Sequence, residues 1–82
     1  MRVTVFTRTG CQPCRATKRA LGHHGVLYHE VDVDEKPYSL ASLRDWYGYR
    51  ELPVVLVHTD EGSNHDNWFG FRPDKIKELA NG

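Results

Sequence analysis

Apolar and polar residues alternate at the start of the chain. Val3 and Val5 share one face and Phe6 thickens the run, which predicts a strand over Arg2 to Thr7, buried on at least one side. Between Pro13 and Leu21 the period changes to that of a helix. Ala16, Ala20 and Leu21 fall on one side and Arg15, Lys18 and Arg19 on the other. Pro13 suits a first helical turn, where its missing N–H costs nothing, and Gly22-His-His-Gly25 reads as the stop. Val26 to Val33 predicts a second strand, followed by the turn Asp34-Glu-Lys-Pro37. Leu40, Leu43 and the Trp46/Tyr47 pair recur at helical spacing, so a helix is expected over Tyr38 to Tyr47, closed by Gly48. Pro53 then opens Val54-Val-Leu-Val57, a continuous apolar run of the kind that fills a sheet interior. His58 to Asn67 has loop chemistry, Trp68 to Phe71 can form a last short strand, and Pro73 starts a helix that runs to Ala80.

The expected order is therefore βαβαββα, an α/β fold with one mixed sheet covered by helices. At 82 residues the chain is expected to form a single domain, 1–82. Eleven Lys and Arg balance eleven Asp and Glu, so there is no basic excess to hold nucleic acid or an anionic membrane, and neither is expected as a partner. No apolar run approaches the roughly 20 residues of a membrane span. The start Met-Arg-Val-Thr-Val-Phe has no signal-peptide core, so a cytoplasmic protein is expected.

In a reducing cytosol, a close Cys-x-x-Cys pair is a better candidate for chemistry than for architecture. Cys11 and Cys14 are the only cysteines, set between a strand and a helix start. Residues three apart across a helix start can bring their Cβ atoms within the roughly 3.5 to 4.5 Å that a disulfide requires. Near the helix N-terminus, with Arg8, Arg15 and Lys18 nearby, the Cys11 thiol is expected to ionise more readily, from about 8.5 toward about 7. Cys14, one turn further in, should be the more buried. Cys11 is then the nucleophile that attacks a partner disulfide and Cys14 the thiol that resolves the mixed disulfide. Zinc needs about four ligands, and His23, His24, His29, His58 and His65 offer no suitable spacing, so no metal is expected. The histidines are expected at the surface or capping the first helix. Two inert buried thiols are the competing reading.

Four blocks carry a family resemblance: Val5-Phe-Thr-Arg8 leading to Cys11-Gln-Pro-Cys14; Ala16 to Ala20; Gly48-Tyr-Arg-Glu-Leu-Pro-Val-Val55; and Trp68-Phe-Gly-Phe-Arg-Pro-Asp74. Together they resemble the glutaredoxin-like NrdH redoxins of the thioredoxin superfamily, and the last block is similar to that family's Trp-Ser-Gly-Phe-Arg-Pro signature. The resemblance implies a thioredoxin-like fold, with a mixed four-stranded sheet flanked by three helices. It implies a small monomeric dithiol protein with no bound cofactor, reduced by thioredoxin reductase with electrons from NADPH and passing them to a class Ib ribonucleotide reductase. Partner contacts are then expected at Arg8, Gln12, Pro13, Leu52 and Pro53, and at Trp68, Gly70, Phe71 and Arg72. A cis Leu52–Pro53 bond beside the dithiol would turn the Leu52 backbone outward to pair with an extended partner segment.

The alternative is a glutathione-dependent glutaredoxin acting as a general disulfide reductase. Glutaredoxins proper usually carry Cys-Pro-Tyr-Cys and a Gly-Gly pair that hold glutathione. Here Pro13 replaces the Tyr and only Gly70 stands in the later block, which argues against glutathione binding. The chain also departs from the redoxin pattern: Phe69 replaces Ser, Gln12-Pro13 replaces a Val-Gln type pair, and the His58 to Asn67 loop is longer than expected. Trp68, Phe69 and Phe71 have a plain packing role as their competing reading. Arg72 is expected to bond backbone carbonyls or the Glu51 carboxylate.

Overall fold

A computed structural model describes residues 1–81. The elements are β1 (Arg2–Thr7), α1 (Gln12–His23), β2 (His29–Asp32), α2 (Tyr38–Tyr47), β3 (Val54–His58), β4 (Asn64–Phe69) and α3 (Pro73–Asn81). The sheet runs β2-β1-β3-β4, with β1 parallel to β2 and antiparallel to β3, and β4 antiparallel to β3. This is the mixed four-stranded, three-helix thioredoxin-like arrangement expected from the sequence.

The apolar run of β3 explains its central place. Val54 to Val57 are all buried, because alternate residues serve opposite faces of the sheet. On one face Val55 and Val57 join Val3, Val5, Leu21, Trp68 and Ile76, with Ala20 and Leu79 bringing in α1 and α3. On the other, Val54 and Leu56 pack with Leu43 of α2, and Phe6, Tyr47, Tyr49 and Leu52 complete the cluster. Burying each valine or leucine contributes about 1.5 to 3 kcal/mol, so β3 anchors both layers.

Several boundaries differ from those expected. The first helix continues through Gly22 to His23, and the left-handed residue that ends it is Gly25, at φ +70°. The second strand is shorter: Val26 and Tyr28 pack against the core, but pairing with β1 begins only at His29. Half of the segment expected as a His58–Asn67 loop is strand. The connection covers only residues 59–63, closed by Thr59 N–H to the Ser63 carbonyl (2.9 Å) and Gly62 N–H to the Thr59 carbonyl (2.9 Å). Polar residues populate β4 because it is an edge strand whose first half is solvent-exposed. No described helix is long and apolar enough to cross a membrane.

Candidate active site

The chain leaves β1 at Thr7 and must turn back to enter α1 within four residues. Gly10, at φ +78°, makes that turn possible. Cys11 is the N-cap of α1, and its sulfur accepts the Cys14 backbone N–H at 3.2 Å. Pro13 occupies the first turn as expected. Cys14, Thr17 and Leu21 face inward, and the Thr17 hydroxyl donates to the Pro13 carbonyl at 2.8 Å, tying that turn to the helix body.

Cys11 and Cys14 are joined in a disulfide, with Cα atoms 5.2 Å apart. Cys11 is half-buried whereas Cys14 is 1% exposed, so only the first sulfur can be reached from solvent. This is the asymmetry expected from the sequence. Once the bond opens, a Cys11 thiolate would sit against the Cys14 N–H and the positive end of the α1 dipole, which favours the ionised form.

The start of β3 completes the site. The Leu52–Pro53 bond is cis, and the Leu52 carbonyl oxygen lies 3.9 Å from the Cys11 sulfur. The end of β4 is fastened to the same turn, with Gly70 N–H donating to the Pro53 carbonyl at 2.8 Å. Three stretches distant in sequence therefore meet around the dithiol: the β1–α1 loop with the start of α1, the cis-proline turn, and Gly70 with the exposed Phe71.

The charges differ in part from expectation. Arg8 is exposed and faces Asp34 at 3.6 Å, while Lys18 donates to Glu30 at 3.0 Å, so neither cation is left unopposed to act on the thiol. Arg72 bonds Asp74 through two donors (3.1 and 2.9 Å) in place of the carbonyls or Glu51 expected. That pairing holds its guanidinium charged and keeps the Asp74 carboxyl below the ordinary carboxylate value. Being exposed, the pair orients Arg72 more than it stabilises the fold.

Trp68 is the largest departure among the site residues. It is 4% exposed and packed in the core beneath the sheet, with Lys75 Nζ 5.8 Å from its ring centroid. A partner docked on the native surface therefore meets little of its indole. Strand alternation is the reason: β4 turns Trp68 inward beside Val55 and sends Phe69 outward, against Tyr49. Alternation was available as a signal, but the expected strand boundary hid the phase. Among the described residues no group of three or more His, Cys, Asp or Glu is assembled to hold a metal. Arg19, which lines a groove with Gln12 and Pro13, and Arg44, Tyr49 and Arg50, which line another with Arg8, were not expected among the site residues, because side chains on helix faces and in turns are ordinary surface groups.

A thioredoxin-like sheet with a Cys-x-x-Cys disulfide at the first helix start, opposite a cis-proline, defines a thiol-disulfide oxidoreductase. The glutaredoxin family model matches residues 3–61. The chain belongs to the glutaredoxin family, among its NrdH-like redoxins. It is 40% identical to the glutaredoxin-like protein NrdH of Escherichia coli K12 over 79 residues, covering 96% of this chain and 89% of that protein. It is 30% identical to the glutaredoxin-like protein NrdH of Lactococcus lactis subsp. cremoris over 78 residues, covering 95% and 99%. The solved structure of the NrdH-redoxin from Escherichia coli superposes with a TM-score of 0.82 at 42% identity, over 96% of this chain and 95% of that one. That relative is described as glutaredoxin-like with a thioredoxin-like activity profile.

Proposed function

We propose that this protein is a cytoplasmic, monomeric dithiol electron carrier, reduced by thioredoxin reductase at the expense of NADPH and oxidised by a class Ib ribonucleotide reductase. The carrying observation is its similarity to the NrdH of Escherichia coli along 96% of the chain, with the two cysteines held in the geometry that disulfide exchange needs. In the forward half-cycle the Cys11 thiolate attacks one sulfur of the partner disulfide. The partner's S–S bond breaks, its other sulfur leaves as a thiolate, and a mixed disulfide forms. The Cys14 thiolate then attacks the Cys11 sulfur, releasing the partner's second thiolate and leaving the Cys11–Cys14 bond. Two electrons pass to the partner, and solvent supplies the protons its dithiol takes up.

Arg8, Gln12, Pro13, Leu52, Pro53, Gly70, Phe71 and Arg72 form the partner-facing rim in this reading. Trp68 supports that rim from the core. The reading is tested by reconstituting deoxyribonucleotide formation from a class Ib ribonucleotide reductase, thioredoxin reductase, NADPH and this protein. Product that depends on every component is expected. Turnover supported instead by glutathione and glutathione reductase would point to the general glutaredoxin.

A further inference from the structure

Two grooves adjoin the segments that hold the disulfide, one at Gln12 and Pro13 between the cysteines and one at Arg8 before them. One, of about 500 Å³, is lined by Gln12, Pro13, Arg15, Ala16, Arg19 and Phe71. The other, of about 310 Å³, is lined by Arg8, Leu40, Arg44, Tyr49 and Arg50. Five of the chain's seven arginines line these two grooves, and no carboxylate does.

The protein has zero formal net charge, so this concentration of cations is balanced elsewhere. Glu30, Asp60 and Asp66 are paired away from the grooves, with Lys18, the N-terminal amine and Lys75. Arg8 and Arg44 each face one carboxylate at 3.6 Å, Asp34 and Asp45 respectively. Among the described residues no carboxylate reaches salt-bridge distance of Arg15, Arg19 or Arg50. Arg15 and Arg19 stand four apart on the exposed side of α1, next to the exposed Pro13 and Phe71. Arg50 lies two residues before Leu52, whose carbonyl faces Cys11.

From this segregation of charge we infer that the dithiol selects an acidic peptide segment: the partner's disulfide sits at Cys11 and its flanking carboxylates lie over Arg15 and Arg19 on one side and Arg44 and Arg50 on the other. This rests on the dithiol-carrier reading and names its substrate class. A guanidinium fork matches a carboxylate with two parallel hydrogen bonds, and clustered unneutralised forks raise the encounter rate of an anionic partner. The apolar surface of Pro13, Ala16 and Phe71 gives a neighbouring peptide side chain a place to pack. A nucleic acid satisfies the charge but brings no disulfide to Cys11.

The test uses the reduced full chain and three synthetic peptides with the same internal disulfide, flanked by Asp/Glu, by Asn/Gln or by Lys. At low ionic strength the acidic peptide is expected to be reduced about tenfold faster than the neutral one, with the lysine peptide slowest. The advantage should fade toward unity near 0.5 M salt, where charges are screened over roughly 3 to 5 Å. Replacing Arg15→Gln with Arg19→Gln, or Arg44→Gln with Arg50→Gln, should lower the acidic-to-neutral ratio, a comparison made within each variant. Equal rates for acidic and neutral peptides, or a ratio that survives both pairs of substitutions, would overturn the inference and leave the carrier reading standing. It is overturned as well if a single-stranded DNA oligonucleotide inhibits more strongly than a disulfide-free acidic peptide of equal charge. Failure to reduce any of the three peptides would bring down both readings.

Discussion

The sulfur of Cys11 lies 3.9 Å from the carbonyl oxygen of Leu52, 41 residues further along the chain. That contact joins the dithiol to the cis-proline turn, so a partner disulfide approaching Cys11 meets the start of the central strand at once.

The two cysteines should therefore be unequal. Cys11→Ser is expected to abolish turnover, because the buried Cys14 cannot reach a partner disulfide. Cys14→Ser should retain attack and accumulate a mixed disulfide through Cys11, read as a mass increment on a non-reducing gel or by mass spectrometry. Equal trapping by both variants would contradict the assigned roles.

The two tryptophans make a second contrast. Trp68 is 4% exposed in the larger core cluster and Trp46 is 81% exposed on α2. Trp68→Ala is expected to cost about 3 to 5 kcal/mol in urea unfolding. Trp46→Ala should stay within about 0.5 kcal/mol. If the two costs were alike, the phase of β4 would be wrong.

Acid should destabilise the fold through Glu30 and Asp66. The Thr7 hydroxyl, donating at 2.7 Å, and then Lys18 hold the Glu30 carboxyl below its ordinary 4.5, against the opposing effect of burial. The Lys75 ammonium, at 2.9 Å, does most to hold the Asp66 carboxyl below its ordinary 3.8. Because both folded values are depressed, the stability they contribute is full above the unfolded values and is lost as pH falls through the folded ones. Urea midpoints should accordingly drop as pH is taken from 6 to about 3. Glu30→Gln and Asp66→Asn should each flatten that drop, and profiles parallel to the wild type would show that these pairs carry no linkage.

Local pattern was enough to place β1, α2, β3 and α3, although in α2 the apolar stripe and the buried face differ, since Ser39 and Leu43 are buried and Trp46 is exposed. It was misleading at Gly22, where a glycine is carried inside the helix and the turn is made by Gly25. It also missed the first half of β4, whose Asn64, His65 and Asp66 resemble a loop because an edge strand can leave polar side chains in water. The dithiol was legible from two residues and their spacing. Its surroundings were not: Arg44 and Arg50 share a groove with Arg8 only because α2 and the chain after it pack beside the β1–α1 loop, a tertiary relation that no local period records.

The most direct test of the carrier reading follows NADPH oxidation while the oxidised protein is offered two reducing systems in parallel, thioredoxin reductase alone and glutathione with glutathione reductase. Rapid, stoichiometric reduction by thioredoxin reductase with little reduction by glutathione is the predicted result. Efficient reduction by glutathione, with none by thioredoxin reductase, would contradict it.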